Sequence, residues 1–434
     1  MDKSKGTVIH DIKYEKFMTW LHENNFPESK LTLANFTSNA FKLDSRNLEL
    51  NLLLKKGMMA TSDIEAGEVI VSVPRDFLIT NDSLSKTYGT NHSLSSHQIL
   101  ALHLVLLLRD KQSWWKPYID LLPMHFNTMP VKYAKVLVDH LPSALKEETL
   151  QQKENIRTDY LACTKFIQSR KEKTDPISAE EYEWAWLCVN TRCIHMTKMD
   201  NRTKGGNIAL APMLDFLNHT TEAKIDSGFN VRKQCFEIKT LNPYKKGEQV
   251  YINYGPHDNL AILKEYGFVL SENSYNFVLL DEEVWNLYSE VESKRGLEIK
   301  KQILEGAGYS GDYSIKADEI SFRLMAALRL LALNGTLEPG FDRRVMDWHD
   351  VVMGQTDLIS PDNERKALIM LQSICQKVAK QAKNELAILS NITEKYPEAG
   401  FHPFALYFLR QIWKESSEIV EQTLLYLNDK LSRL

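Results

Sequence analysis

The sequence predicts an α+β protein: a β-rich domain split by a helical insertion, followed by an all-α C-terminal domain. Three observations carry this. A Gly-Glu pair leading into a β-rich run occurs twice, at Gly67-Glu68 and at Gly247-Glu248. Between the two lies a helical block, roughly residues 96–189, and beyond about residue 292 the chain reads as helix throughout. The regular strand–helix alternation of a doubly wound sheet is missing, so the block reads as an insertion into a β domain.

Residues 10–25 carry Ile12, Phe17, Trp20 and Leu21 at the spacing of a short amphipathic helix, and residues 1–44 read as an N-terminal helical extension. An apolar run over 48–54 ends at Lys55-Lys56-Gly57-Met58. Asp63-Ile64-Glu65-Ala66-Gly67-Glu68 is a turn signal, and Val69 to Pro74 follows as a β-branched run: strand, turn, strand. The recurrence at Gly247 is the same turn chemistry used again, since no fixed period of about 20–50 residues marks a repeat array.

The insertion, about 95–185, contains candidate helices over 97–109, 131–140, 146–169 and 179–190. The last carries Trp184, Trp186, Leu187 and Val189. The β-rich domain as a whole spans 45–285, with a boundary near 285–300, and the helical domain spans 290–434. There, an apolar face over 320–333 stops at Asn334-Gly335, a C-cap signal. Ser360 before Pro361 is an N-cap followed by Pro at the first helical position, opening a helix to about 388. A last helix over 403–427 carries Phe404, Tyr407, Phe408, Ile412 and Trp413.

With 434 residues, 43% of them hydrophobic, the chain can bury at least one large core. Its 53 Lys and Arg against 57 Asp and Glu leave a net charge of −4, without the basic footprint of sequence-independent nucleic-acid binding. No direct nucleic-acid partner is expected. Cys163, Cys188, Cys193, Cys235 and Cys375 form no C-x-x-C, so neither a thiolate zinc site nor a redox pair is visible. An odd, sparse set fits reduced thiols in the cytoplasm or nucleus. Lys3 and Lys5 lead into polar residues rather than an apolar signal segment, and the apolar run over 99–108 is too short to span a bilayer. No membrane partner is expected.

The candidate chemistry lies in residues 211–259. One apolar run ends in Asn218-His219 and a second in Tyr254-Gly255. Polar groups at the end of core-like elements are either well satisfied or functional. Asp215 and His219, four apart, share a helix face and could ligate a metal. His195, His257 and Asp258 qualify by type but not by spacing, and no metal site is expected. Tyr251 and Tyr254 suit cross-strand packing, yet Tyr254 stands where its strand stops, and sites are built at strand ends. Arg192, in Val-Asn-Thr-Arg, is either a solvated charge or a carboxylate clamp. Gly57 after an apolar strand is by itself a turn signal.

The order of these elements resembles the SET-domain methyltransferases, in the class with a split SET domain and a helical C-terminal domain typified by the Rubisco large-subunit lysine methyltransferase. The residues that carry it are L-K-K-G-M-M-A, W-W-K-P-Y-I-D-L-L-P, W-A-W-L-C-V-N-T-R, A-L-A-P-M-L-D-F-L-N-H, V-Y-I-N-Y-G-P-H-D-N and K-E-Y-G-F-V. It extends from about residue 45 into the C-terminal helices. It implies a SET domain with a knotted core, S-adenosyl-L-methionine as cofactor, a protein substrate held by the C-terminal domain, and a monomer.

Residue by residue, the resemblance implies that Lys56, Gly57 and Met58 approach the cofactor through backbone, with Lys55 standing where the family has a Gly. Arg192 would face the methionine end, which carries a carboxylate. Asn218 and His219 would hold the cofactor in the core, with Asp215 beside that pocket or supporting the fold. Phe268 would stack near the adenine, and Tyr254 would be the catalytic tyrosine. The implied acceptor is a lysine, histone or otherwise. A histidine-methylating relative has Trp before the Asp and Asn two residues after the Arg; here Leu214 and Ile194 stand there, which favours lysine. A protein-histidine methyltransferase and a catalytically silent SET-fold binding module are the alternatives.

The chemistry is compatible. The nucleophile must be the neutral amine, and from a reference pKa of about 10.4 neutralising Lys at about pH 7 costs roughly 4.6 kcal/mol. A dry, apolar channel lowers that cost by desolvation, so alignment beside a phenol suffices without a strong base.

Overall fold

A computed structural model describes residues 5–37, 54–170, 175–196 and 208–433. The chain divides into two units. The first holds Met1–Lys132, Glu148–His257 and Lys264–Glu272; the second holds Tyr133–Glu147, Asp258–Leu263 and Asn273–Leu434.

The first unit is built on small sheets. Thr7–Val8, Leu31–Thr37 and Leu54–Ala60 form one, in that order and antiparallel. Residues 5–37 are therefore more than a helical extension. The helix Ile12–Glu23, capped by Asp11, is there, but a strand follows it and pairs from Leu31↔Ala60 to Thr37↔Leu54. The reason is a period of two: Leu31, Met58 and Ala60 face the main core, while Ala34, Phe36 and Met59 cluster on the other face. Of the apolar run expected over 48–54, residues 48–53 lie outside the described residues.

The expected strand, turn and strand are all present, but the two strands do not form a hairpin. Val69–Pro74 pairs with Cys235–Thr240, which in turn pairs with Ile225–Asn230; it does not pair with Leu54–Ala60. The two Gly-Glu turns are bonded in reciprocal fashion. Gly67 N–H donates to Thr240 O and Thr240 N–H to Glu68 O; Gly247 N–H donates to Ala60 O and Ala60 N–H to Glu248 O. Ile64 and Tyr244 exchange both of their backbone bonds between them. Each turn thus satisfies the backbone of the strand beside the other. Both glycines hold φ near +90° (93° and 91°), which a side chain would strain.

The inserted helices begin where Ser caps are available. Ser96–Arg109 starts in a capping box of Ser95 with Gln98, and Ala179–Arg192 in one of Ser178 with Glu181. The long helix runs Ser143–Ser169. Over 131–140 no continuous helix forms: a 3₁₀ turn, Pro130–Lys132, and a short helix, Lys135–Val138, are separated by extended backbone at Ala134.

The second unit is mostly helical from Asp281–Val291 onward, through Lys294–Gly306, Phe322–Leu331 and Phe341–Val352 to Pro361–Ser390 and Pro403–Arg433, but not all-α as expected: Ser314–Ile315 is a short strand that pairs with Val278–Leu279. Ser321 and Ser360 cap their helices by accepting from Leu324 and Asn363 N–H. The last two helices pack along one another, burying Leu371, Cys375, Val420 and Leu427. The final helix runs past the expected end at 427.

Candidate active site

Two very short parallel strands make the site. Asn218–His219 lies beside Tyr251–Ile252, with Tyr251 opposite Asn218 and Ile252 opposite His219. This pairing carries the ends of both apolar runs to one place. Tyr254 N–H donates to His219 Nδ1 at 3.0 Å, and the two rings stack with centroids 5.0 Å apart. Tyr254 O–H donates to Leu217 O at 2.7 Å. Tyr266 packs on Tyr254 at 4.9 Å, and Phe268 continues the aromatic row 6.3 Å from Tyr266.

Asn218 Nδ2 donates to Lys56 O at 2.8 Å, tying this pair to the strand Leu54–Ala60. The approach is close at Gly57, where a Cβ would collide with the amide of Gln249 and with Asn218 Nδ2. Met58 turns its side chain into the core and is fully buried. Met213, just before the 3₁₀ turn Leu214–Phe216, holds φ at +70°, a conformation costly for a side-chain-bearing residue.

Arg192 and Asp215 find each other. Arg192 Nη1 donates to Asp215 O at 2.9 Å and to Asp215 Oδ2 at 3.3 Å, while the guanidinium lies over the Phe216 ring. Tyr118 O–H donates to the same Oδ2 at 2.8 Å. Asp215 is wholly buried, and burial pushes its carboxyl up against the pull of Arg192. Of the two sequence readings of Arg192, its guanidinium is therefore a clamp for a carboxylate of this chain. The Asp215 and His219 pair expected as a possible metal site has its Oδ2 and Nδ1 engaged, and among the described residues no cluster of His, Cys, Asp and Glu is arranged for a metal ion.

Burial holds the His219 imidazole down at about 4, so the ring is neutral at ordinary pH, and its Nε2 is buried without a partner among the described residues. Burial also raises the Tyr254 phenol well above its ordinary value, so it stays un-ionised.

Two recesses meet at Tyr254. A cleft of ≈ 340 Å³ is lined by Lys56, Asn218, Arg192, Tyr254, Tyr266 and Phe268, among others. A second recess of ≈ 190 Å³ has an aliphatic wall of Ile194, Leu214, Leu217, Ile225, Ile238 and Ile252, beside the polar His195, Ser227 and Asn253. Thr191, Arg192, Asp215, Tyr254 and Tyr266 belong to both. Of the residues singled out in the sequence, Gly57, Met58 and His219 stand behind the walls rather than in them. The sequence reading missed Asp11, Tyr14 and Leu33, which line the larger cleft from the N-terminal sheet and helix. Tyr118 was also missed, although its W-W-K-P-Y context had been noted.

A parallel pair of short strands, one ending in Asn-His and the other followed two residues on by Tyr254, with a helical insertion and a helical C-terminal domain, is the layout of a SET-fold methyltransferase. The chain carries both domains of that layout: residues 55–255 match the SET domain and residues 292–395 the Rubisco LSMT substrate-binding domain. It is 29% identical over 391 residues to SET domain-containing protein 4 of Mus musculus, covering 86% of this chain and 83% of that protein. It is 27% identical over 443 residues to actin-histidine N-methyltransferase of Xenopus tropicalis, covering 96% and 71%. A structure of Rubisco LSMT bound to sinefungin and monomethyllysine superposes with a TM-score of 0.65 over 98% of this chain and 94% of that one, at 18% identity, and so shares the fold.

Proposed function

We propose that this protein is a protein-lysine N-methyltransferase using S-adenosyl-L-methionine. One observation carries the reading: a larger polar and aromatic cleft and a smaller recess with an aliphatic wall meet at the partly buried, un-ionised phenol of Tyr254. A transferase with a bulky donor and a slender acceptor needs such a pair of rooms with one shared wall.

The larger cleft fits the cofactor. Its volume lies at the lower end of small-molecule sites, roughly 300–1,000 Å³. Tyr266 and Phe268 supply flat faces for a base, and Asn218, fixed on Lys56 O, supplies an amide. Gly57 leaves room for that bond, since a Cβ would displace Asn218. His219 positions Tyr254 through its backbone bond. When bound, S-adenosyl-L-methionine supplies an electrophilic sulfonium methyl.

The rest is done by the chain. The aliphatic recess desolvates an entering lysine and so favours its neutral amine. The Tyr254 hydroxyl, oriented by Leu217 O, keeps its lone pairs for the reacting region. As an un-ionised phenol it orients and polarises rather than removing the lysine proton. Histidine is the second reading, because a relative carries that activity in its name. Lysine is favoured because Ile194 and Leu214 are both aliphatic and both line the acceptor recess.

The test is transfer of labelled methyl from S-adenosyl-L-methionine into whole-cell protein, with the labelled residue identified by mass spectrometry. Label on lysine supports the reading. Label on histidine overturns the acceptor, and cofactor binding without any label favours a silent binding module.

A further inference from the structure

The Arg192–Asp215 pair is closed at one end only. Both of its bonds run from Arg192 Nη1, to Asp215 O at 2.9 Å and to Asp215 Oδ2 at 3.3 Å. Arg192 Nε and Asp215 Oδ1 are each buried without a partner among the described residues, and such orphans in a native structure need a cause. Elsewhere in this chain arginine meets carboxylate differently. Arg109 grips Glu181 with Nε at 2.8 Å and Nη2 at 2.5 Å, and Arg329 grips Glu364 with Nε at 2.6 Å and Nη2 at 2.9 Å. That side-on fork suits the planar geometry of both groups. At Arg192 the same fork is unused, although the Asp215 side chain is wholly buried beside it.

Tyr118 is what keeps the pair from closing. It belongs to the short inserted helix Lys116–Ile119, is fully buried, and its O–H donates to Asp215 Oδ2 at 2.8 Å. Its ring is packed against Trp115 and Phe216, with centroids 6.2 and 6.5 Å away, so the hydroxyl is not free to follow a turning carboxylate. To reach the fork of Arg192, the carboxylate would have to rotate and surrender this donor, leaving a buried phenol O–H unpaired. The fork that stays open has a use. Arg192 lines both recesses and its side chain keeps 20% of its surface exposed, whereas that of Asp215 keeps none.

Resting on the cofactor reading above, we propose that Tyr118 is a positioning residue: by holding Asp215 Oδ2 it keeps the Arg192–Asp215 pair open and reserves the Nε–Nη2 fork of Arg192 for the carboxylate of S-adenosyl-L-methionine. Tyr118 touches no ligand itself, since it stands behind the wall of the cleft. In Tyr118→Phe the carboxylate is free to turn, the two orphaned atoms pair with one another, and the fork is consumed inside the protein. The inserted helices thereby tune the cofactor site from outside it.

Calorimetry on the full chain tests this with three ligands. S-adenosylhomocysteine carries a carboxylate and an ammonium, its decarboxylated analogue the ammonium alone, and 5′-methylthioadenosine neither. Tyr118→Phe should weaken S-adenosylhomocysteine by roughly tenfold, the worth of about one charge-assisted hydrogen bond, and leave the other two ligands within about twofold of wild type. A tyrosine that only supports the fold would weaken all three alike; that result overturns the proposal, as does unchanged affinity for S-adenosylhomocysteine. Arg192→Lys gives a second measurement that does not depend on the Tyr118 variant folding. It keeps a cation beside Asp215 but has no fork, so it should show the same selective loss, and wild-type affinity for S-adenosylhomocysteine would overturn the assignment of the fork. A folded wild type that binds none of the three would instead overturn the cofactor reading itself.

Discussion

The Tyr254 backbone N–H donates to Nδ1 of His219 at 3.0 Å, across thirty-five positions of sequence. One buried imidazole therefore fixes the backbone from which the catalytic phenol is proposed to project. His219→Ala leaves that buried amide unpaired, a cost of about 1–3 kcal/mol. The expected outcome is a folded but less stable protein with lower transfer activity, read by denaturant unfolding and labelled-methyl assay. Wild-type stability and turnover would mean that Tyr254 is held by other means.

The same histidine sets a pH dependence. Its folded value is held at about 4 by burial, below the ordinary value of about 6.5. The unfolded chain therefore takes up the proton first as pH falls, so this contribution is complete above about pH 6.5 and is lost on descent through about 4. His219→Asn should weaken the fall in stability over that window, measured as the difference between the urea titrations of variant and wild type.

Glu415 works in the opposite direction. Its carboxylate accepts from Asn259 Nδ2 at 2.9 and 3.0 Å and from Asn276 Nδ2 at 3.0 Å. Burial, with Glu418 nearby, pushes it up to about 7 against the pull of those amides. The folded state holds the proton more tightly than the unfolded one, whose value is about 4.3. This contribution is thus present in full below about pH 4.3 and lost as pH rises through about 7. Glu415→Gln should be relatively more stabilising at pH 8 than at pH 5; an equal effect at both would refute the assignment.

Lys300 is the most consequential single residue of the second unit. Fully buried, its ammonium donates to Leu331 O at 3.0 Å and Leu333 O at 2.7 Å, and pairs with Glu292 at 2.6 Å. It closes the end of the helix Phe322–Leu331 and neutralises a largely buried carboxylate. Lys300→Met should destabilise by about 3–5 kcal/mol, with restoration by the paired change Glu292→Gln. Chemical unfolding of the three proteins measures it.

The parts of this molecule that were legible in its sequence are those with local causes. Ser95, Ser178 and Ser360 announce helix starts because a cap acts within three residues. Asn218, Tyr254 and Phe268 were found because polar or aromatic residues end apolar runs, and because the resemblance ordered them. Partner choice was not legible: nothing near Val69–Pro74 specifies Cys235–Thr240 as its neighbour. The engagement of Arg192 by Asp215 is equally hidden, since the two stand twenty-three residues apart and nothing in either segment pairs them. Asp11 and Tyr14 escaped notice because the strand beside them, Leu31–Thr37, has its partner, Leu54–Ala60, well beyond it in sequence.

The central claim is that donor and acceptor recesses meet at the hydroxyl of Tyr254. Tyr254→Phe removes that hydroxyl and its bond to Leu217 O while keeping the ring against His219 and Tyr266. The direct measurement is methyl transfer under saturating S-adenosyl-L-methionine beside cofactor affinity by calorimetry, wild type against variant. The account predicts affinity within a few-fold of wild type and a transfer rate lower by roughly 100-fold or more. Transfer at the wild-type rate, with the cofactor bound, would contradict it.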